Sequence, residues 1–138
     1  MNPHEEVVQR SLDDPDWFCE HILNSPNYPW QSEFMQAIAD LDRDRRGVKT
    51  IVNHSVKRRF TVRAGHGKGK THCLAKIAFW WLFTRRGRVP CTAPKEAQLK
   101  TRLWPEMRKL KAGAIRDFQN LLVVNQLSAS LNDDVDWC

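Results

Sequence analysis

The predicted fold depends on one stretch of the chain: Val62-Arg63-Ala64-Gly65-His66-Gly67-Lys68-Gly69-Lys70-Thr71. It fits the relaxed form of the phosphate-binding P-loop pattern, with Ala64 in place of the first glycine. Arg59–Arg63 before it alternates apolar and polar residues and predicts a strand. Thr71–Thr84 after it is apolar nearly all round and predicts a buried helix. A loop between a strand and a helix is the setting in which this pattern binds phosphate.

Each residue type in the loop has a chemical reason to be there. Gly65, Gly67 and Gly69 let the backbone turn so that successive N–H groups face one point. The helix that follows adds the positive end of its dipole. We expect Lys70 to reach the β- and γ-phosphates and the Thr71 hydroxyl to ligate Mg²⁺. The alternative is a glycine-rich turn that binds nothing.

Three other basic residues of the stretch are less constrained by the pattern. His66 and Lys68 either contact phosphate or point to solvent. Arg63 either supports the loop, reaches a phosphate, or forms a salt bridge within the fold. The sequence leaves these alternatives open.

The remaining elements complete a predicted α/β fold. Further helices are predicted at 5–23, Trp30–Leu41 and Lys95–Lys111, and further strands at Val89–Thr92 and Leu121–Val124. Strands that alternate with helices indicate a parallel sheet flanked by helices. We expect one partial domain over residues 1–138, in which a helical segment, 1–49, precedes a P-loop α/β core, 50–138.

Charge is distributed unevenly along the chain, whose net charge is +6. Residues 1–40 hold eight acids and one base, residues 41–116 hold 21 bases and four acids, and the last 22 residues hold four acids and no base. Such a basic centre favours binding to a polyanion such as nucleic acid. Alternatively, some of its bases neutralise the acidic ends. The candidate nucleic-acid contacts are Lys57, Arg58, Arg59, Arg108, Lys109 and Lys111.

Composition excludes several other classes of protein. The chain has no run of about 18 apolar residues, so a membrane span is not predicted. Its N-terminus has acids where a secretion signal has bases, so we expect a cytosolic location. The four cysteines lack the spacing of a zinc site and are interpreted as free thiols.

Three segments, taken in order, resemble one known family. They are Tyr28-Pro29-Trp30-Gln31, the loop Arg63–Thr71, and Cys91-Thr92-Ala93-Pro94-Lys95-Glu96-Ala97-Gln98-Leu99 with Leu103-Trp104-Pro105-Glu106. Together they are similar to the "PWQ", "GHGxGKT" and "TAPTxxQ…LW.E" elements of the tailed-phage terminase large subunit. The similarity extends from about Asp16 to Phe118.

The resemblance implies the N-terminal part of a RecA/ASCE-type P-loop ATPase that drives DNA packaging in the host cytoplasm. Its implied ligands are ATP and Mg²⁺. Its implied partners are double-stranded DNA, the portal protein, the terminase small subunit and further copies of itself in a ring. The resemblance also implies that Gln31 reads the adenine edge. An amide, which can donate and accept at once, suits that task, although an ordinary residue at a helix start is the alternative.

The chain departs from the family where hydrolysis would need two carboxylates. Leu121–Val124 is an apolar run, but Asn125 and Gln126 follow it in place of acids. We interpret this run as an earlier strand, with the catalytic acids beyond Cys138; a catalytically dead variant, with amides in place of the acids, is the alternative. Nothing in the sequence matches the family's C-terminal nuclease domain, so the chain resembles the first part of the ATPase domain, as in a truncated gene, a fragment or a reduced homologue. No catalytic residue is assigned, so independent hydrolysis is left open. Two alternatives remain: a basic nucleic-acid-binding module with a vestigial P-loop, and a helicase-like P-loop NTPase.

Overall fold

The computed structural model describes residues 3–47, 49–51, 69–85, 97, 99–124 and 129–131. Most of these residues are helical. The main helices are α1 (Pro3–Asp13), α2 (Pro15–Trp17), α3 (Pro29–Arg45), α4 (Lys70–Arg85), α5 (Trp104–Gly113) and α6 (Arg116–Leu121). One π-helical turn, Phe18–Ile22, follows α2 directly, and a second, Leu99–Leu103, leads directly into α5. Two short strands, β1 (Leu122–Val124) and β2 (Ala129–Leu131), follow α6.

The break between α1 and α2 has a local cause. Pro15 has no N–H, so it cannot donate the next backbone hydrogen bond of α1. Proline is well tolerated in the first turn of a helix, and Pro15 begins α2. Asp14 precedes it in an extended conformation, and its carboxylate accepts a hydrogen bond from the Asp16 N–H at 3.1 Å. The predicted helical stretch 5–23 is therefore divided here, and a second helix starts at Pro15 with Asp14 as its N-cap.

The core consists of helices packed on helices around a group of aromatic side chains. The Phe118 ring meets the rings of Phe18, Phe79 and Phe83 edge to face, with centroids 5.6–5.9 Å apart. All four phenylalanines are at most 1% exposed. They join the N-terminal helices, α4 and α6 into one cluster. Edge-to-face contacts of this kind add to the free energy gained by burial.

The predicted α/β fold, a RecA/ASCE-type P-loop NTPase with a parallel sheet, is wrong for the described residues. These residues contain one pair of strands, and the pair is antiparallel, with Leu122 opposite Leu131. Of the strand predicted at Leu121–Val124, the last three residues form β1 and Leu121 ends α6; the partner of β1 is β2. The strands predicted at Arg59–Arg63 and Val89–Thr92 lie outside the described part of the chain.

The surroundings of α4 show why the prediction failed. An apolar helix was expected to pack against a sheet, whereas α4 packs mainly against α1, α5 and the π-helical turn Leu99–Leu103. Trp80, 1% exposed, donates its indole N–H to the Ser11 carbonyl of α1 at 2.7 Å. An apolar surface indicates that a helix is buried, but it does not indicate whether the covering element is a sheet or other helices.

Within the described ranges, none of the helices combines the length and the apolar character needed to cross a membrane.

Candidate functional site

The end of the predicted phosphate-binding loop leads into α4 through Gly69. This residue has a φ of +80°, a left-handed conformation that favours glycine. Its carbonyl oxygen accepts a hydrogen bond from the Cys73 N–H at 2.9 Å, the first such bond of α4. A Cβ at Gly69 would lie 2.8 Å from the amide nitrogen of Gln31. The left-handed backbone therefore favours glycine here, and a side chain at this position would also displace the Gln31 amide.

Lys70 and Thr71, the predicted centre of the site, are the first two residues of α4 and are both half-buried. The N–H groups of a first helical turn have no acceptor within the helix, and the helix dipole places partial positive charge there. An ammonium group, a hydroxyl and these N–H groups thus occupy one end of α4, which favours an anion. The other predicted loop residues, Gly65, His66, Gly67 and Lys68, lie outside the described residues.

Gln31, the predicted adenine-binding residue, lies beside Gly69. Its side-chain oxygen accepts a hydrogen bond from the Tyr28 N–H at 3.1 Å, which caps the first turn of α3. Its side-chain nitrogen donates to the Gly69 carbonyl oxygen at 3.1 Å. Gln31 is 1% exposed. Its amide therefore connects the start of α3 to the start of α4.

The imidazole of His72 makes a second connection to the segment before α3. Its Nε2 lies 3.0 Å from the Ser25 hydroxyl, and its Nδ1 lies 2.9 Å from the Glu106 carboxylate of α5. Because an ionised carboxylate only accepts hydrogen bonds, Nδ1 carries a proton and donates to Glu106. In the neutral ring Nε2 then accepts from Ser25. The first turn of α4 is thereby attached to two other parts of the fold.

Lys76 makes a third connection, one helical turn further along α4. Its ammonium group donates to Asn27 Oδ1 at 3.0 Å and to the Pro26 carbonyl at 3.4 Å. The residue is only 1% exposed, and burial lowers the pKa of its amine. The segment 25–31, which we call the entry segment, is thus bonded to Gly69, immediately before α4, and to His72 and Lys76 of α4.

Asp16 binds the entry segment through Asn27 and binds α3 through Ser32 and Gln36. Its carboxylate accepts hydrogen bonds from Asn27 at 2.8 Å, Ser32 at 2.6 Å and Gln36 at 2.8 Å. Burial alone would raise the pKa of this carboxyl group. The hydrogen bonds and the nearby Arg43 charge outweigh burial and lower the pKa below its ordinary value. Asp16 is therefore a charged anchor for the entry segment.

The sequence did not identify Ser25, His72 or Glu106 as site residues. His72 lies 47 residues from Ser25 and 34 residues from Glu106 along the chain. No local pattern marks such distant residues as neighbours, since only the packing of α4 against α5 brings them together.

The predicted nucleic-acid contacts fall into two groups. Lys57, Arg58 and Arg59 lie outside the described residues. Arg108 and Lys109 are exposed on α5, and Lys111 on the same helix is half-buried. By contrast, two arginines at the end of α3 bind acids, as the alternative interpretation expected. Arg43 forms an ion pair with Asp40 at 2.9 Å, and Arg46 forms ion pairs with Asp42 and Asp13.

Metal-binding chemistry at the site depends on oxygen ligands. Within the residues that the structure describes, no three His, Cys, Asp or Glu side chains form a group that could hold a metal ion. Asn125 and Gln126, which follow β1 in the sequence, lie outside those residues.

The chain matches no protein-family model, no curated protein and no solved structure.

Proposed function

We propose that this chain is the ATP-binding part of a viral DNA-packaging motor similar to the terminase large subunit. In this proposal the triphosphate binds at the start of α4, with Lys70 as the cation that contacts the β- and γ-phosphates. The proposal covers nucleotide binding, and no residue is assigned to activation of water.

One observation carries the proposal: the left-handed Gly69 places Lys70 and Thr71 in the first turn of α4. Phosphate binding by this motif requires a glycine turn followed at once by a helix whose first residues are Lys and Thr or Ser. The three links from the entry segment hold that turn in place before a ligand arrives. A pre-organised site binds more tightly because less ordering remains to be done on binding.

The residues present are compatible with Mg²⁺ bound together with the triphosphate. Mg²⁺ prefers oxygen ligands, keeps several of its waters and usually takes only one or two protein ligands beside the phosphates. In this proposal the hydroxyl of Thr71, a half-buried residue at the start of α4, is such a ligand. Bound Mg²⁺ would neutralise phosphate charge, and Thr71 would fix its position.

The resemblance supplies the wider context of the proposal. It suggests double-stranded DNA, the portal protein and the terminase small subunit as partners, a homo-oligomeric ring as the working assembly, and the host cytoplasm as the location. Exposed Arg108 and Lys109 on α5 supply positive charge that could contact the DNA backbone.

Binding of Mg-ATP to the Lys70→Ala variant tests the proposal. We expect its affinity, measured by isothermal titration calorimetry, to fall about tenfold to a hundredfold, because a charge-assisted hydrogen bond contributes about 1.5–3 kcal/mol. Lys109→Ala, which removes an exposed charge on α5, is the matched control and should bind as the unchanged protein does. Equal affinity of Lys70→Ala and the control would refute the proposal.

A second candidate function is a nucleic-acid-binding module in which nucleotide has no role. The exposure of Arg108 and Lys109 on one helix favours it. Under this function Lys70→Ala would leave DNA binding intact whether or not ATP is present.

A further inference from the structure

Ser25, His72 and Glu106 form a chain of polar side chains that joins three parts of the fold. The Ser25 hydroxyl lies 3.0 Å from His72 Nε2, and the Glu106 carboxylate lies 2.9 Å from His72 Nδ1. Because Nδ1 donates its proton to Glu106, Nε2 of the neutral ring accepts the hydrogen bond of the Ser25 hydroxyl. A hydroxyl, an imidazole and a carboxylate in this order are the arrangement that makes a serine a nucleophile.

These three side chains are partly open to solvent, unlike the ion pair in the last turns of α3. The side chain of His72 is 28% exposed and that of Glu106 is 32% exposed, whereas those of Arg43 and Asp40 are 4% and 0% exposed. Ser25 is half-buried. A reactive hydroxyl and its base must be reached by a substrate and by water, and the exposure of these side chains permits both.

The backbone holds Ser25 just after a bend. Asn24, immediately before it, has a φ of +53°, a left-handed conformation that residues other than glycine adopt rarely. The Asn24 side chain donates to the Gly113 carbonyl at 3.0 Å, and the Ser25 N–H donates to the Cys19 carbonyl at 2.8 Å. The hydroxyl is therefore positioned before a substrate binds. Backbone conformations of this kind persist where the surrounding structure enforces them, and they cluster at functional sites.

The base of this arrangement belongs to the first turn of α4, in which His72 is the third residue. The N–H groups of a first turn have no acceptor within the helix, and partial positive charge lies there. When a hydroxyl attacks an ester, negative charge develops on the carbonyl oxygen, and fixed N–H donors stabilise that charge. The same end of α4 therefore supplies the base and favours the charge that the reaction creates.

From these observations we propose that Ser25, His72 and Glu106 hydrolyse carboxylic esters through an acyl group carried by Ser25. The Ser25 oxygen attacks the ester carbonyl, and its proton passes to His72 Nε2. The bond to the alcohol then breaks, and the alcohol leaves with that proton. Water attacks the acyl group and gives a proton to Nε2, and the Ser25 oxygen takes that proton as the carboxylic acid leaves.

Glu106 is a positioning residue in this reaction. It keeps the remaining proton on Nδ1, so that Nε2 is the nitrogen that accepts, and its charge stabilises the imidazolium that forms. The reaction goes beyond the proposed function, because it uses neither a nucleotide nor the Lys70 ammonium. Each proposal can therefore fail while the other stands.

Labelling of the unchanged protein with diisopropyl fluorophosphate tests the nucleophile directly. The Ser25 oxygen forms a bond to phosphorus, fluoride leaves, and the hydroxyl proton passes to Nε2. We expect peptide mapping by mass spectrometry to find the label on Ser25, and we expect denaturation in urea to abolish the labelling.

Ser32 is the matched control within the same sample. It is also half-buried, but its hydroxyl donates to the Asp16 carboxylate at 2.6 Å instead of facing an imidazole. A serine in that setting has no base and should stay unlabelled. Absence of the label from Ser25, or equal labelling of the two serines, would overturn the proposal and leave Mg-ATP binding unaffected.

Hydrolysis of p-nitrophenyl acetate in the absence of nucleotide measures the activity. We expect Ser25→Ala to lower kcat/KM at least about a hundredfold, because both the nucleophile and the proton transfer from it are lost. Ser32→Ala should keep the rate of the unchanged protein, and circular dichroism checks that both variants are folded. An undiminished rate in Ser25→Ala would show that the imidazole acts on the ester without the serine, which overturns the proposal.

Glu106→Gln separates the positioning role from a structural one. The amide keeps an oxygen that can accept from Nδ1 but removes the charge that stabilises the imidazolium. We expect the maximal rate of labelling by diisopropyl fluorophosphate to fall at least about tenfold. The reagent concentration that gives half of this rate should stay the same, because the binding of the reagent does not depend on that charge. An unchanged maximal rate in Glu106→Gln would overturn the role of Glu106 in the proposal.

Discussion

The side-chain nitrogen of Gln31 donates a hydrogen bond to the carbonyl oxygen of Gly69, 38 residues away in sequence. The same oxygen accepts the first backbone hydrogen bond of α4, from Cys73. One atom therefore takes part both in starting a helix and in attaching that helix to α3. A change at either residue should affect both features.

Substitution of Gly69 by alanine should destabilise the protein. The φ of +80° disfavours a side chain, and the new Cβ would lie 2.8 Å from the Gln31 nitrogen. We expect the free energy of unfolding in urea to fall by about 1–3 kcal/mol from the backbone strain, and further from the displaced Gln31.

Gly47→Ala is the control for the Gly69 experiment. Gly47 has a similar φ of +73°, but a Cβ there would meet nothing within 4 Å. The two variants share the backbone strain and differ in the overlap with Gln31. Equal losses of stability would show that the overlap is relieved without cost.

The His72 ring should couple Ser25 and Glu106 energetically. His72→Ala removes both hydrogen bonds and should lower the free energy of unfolding by about 1–3 kcal/mol. His21→Ala, which removes an exposed ring with one backbone contact at 3.3 Å and a stacking contact with Trp17, should cost less.

A double-mutant cycle of His72→Ala and Glu106→Gln measures the coupling directly. Residues joined by a hydrogen bond show interaction energies of about 0.5–3 kcal/mol. Strict additivity of the two single substitutions would contradict the 2.9 Å contact between these side chains.

Asp16 should contribute a pH-dependent part of the stability. Its pKa is lower in the folded protein than in the unfolded chain, so the unfolded chain binds more protons at acid pH. The contribution is therefore fully present above the ordinary aspartate pKa of about 3.9 and is lost as the pH falls through the folded value. The Asp16→Asn variant should have a smaller free energy of unfolding than the unchanged protein at neutral pH. This difference should become smaller as the pH is lowered below about 4.

The control for this pH dependence is Asp44→Asn, which changes an exposed aspartate in the last turn of α3. Its difference from the unchanged protein should vary less with pH over the same range. A pH-independent deficit in Asp16→Asn would argue against the lowered pKa.

The two cysteines of the core should be unreactive in the folded protein. Burial raises the pKa of Cys19 to about 12 and that of Cys73 to about 11, and the two residues are 0% and 2% exposed. Since the thiolate is the reactive form, iodoacetamide at pH 8 should modify these residues only after denaturation in urea. Peptide mapping by mass spectrometry checks this, and rapid modification of native Cys19 would show that the core opens readily.

Positive charge on α5 should determine the salt dependence of DNA binding. Joint substitution of exposed Arg108 and Lys109 by alanine should lower affinity for duplex DNA and reduce the slope of log affinity against log salt by about two. Arg46→Ala removes a charge already paired with Asp13 and Asp42, so its slope should be unchanged. Equal slopes in all three proteins would place the DNA elsewhere.

Local patterns predicted the helices well. The spacing of apolar residues gave Trp30–Leu41 and Thr71–Thr84, and the observed helices are Pro29–Arg45 and Lys70–Arg85. The direction of strand pairing was beyond such patterns. β1 was recognised from the apolar run Leu121–Val124, but its antiparallel partner Ala129–Leu131 depends on contacts that no local spacing records.

The site was predictable in the same partial way. The spacing of glycines and lysine marked Gly69, Lys70 and Thr71 as the start of a helix, which the structure has. Gln31 was chosen for the chemistry of its amide, but the two backbone groups that occupy that amide became visible only in three dimensions. The sequence shows that residue 31 is a glutamine, but only the fold shows which groups are close enough to bond to its amide.

The contacts of α4 with the entry segment fall at Gly69, His72 and Lys76, separated by three and four residues. Because an α-helix has 3.6 residues per turn, these positions share one side of the cylinder. One residue inserted between His72 and Lys76 would rotate the two contacts by about 100° relative to each other and separate one from the entry segment. An insertion of seven residues would restore the angle but lengthen the helix by about 10 Å. The length of α4 between these contacts is thus fixed by the geometry of its neighbour, so insertions and deletions should be tolerated least in this interval.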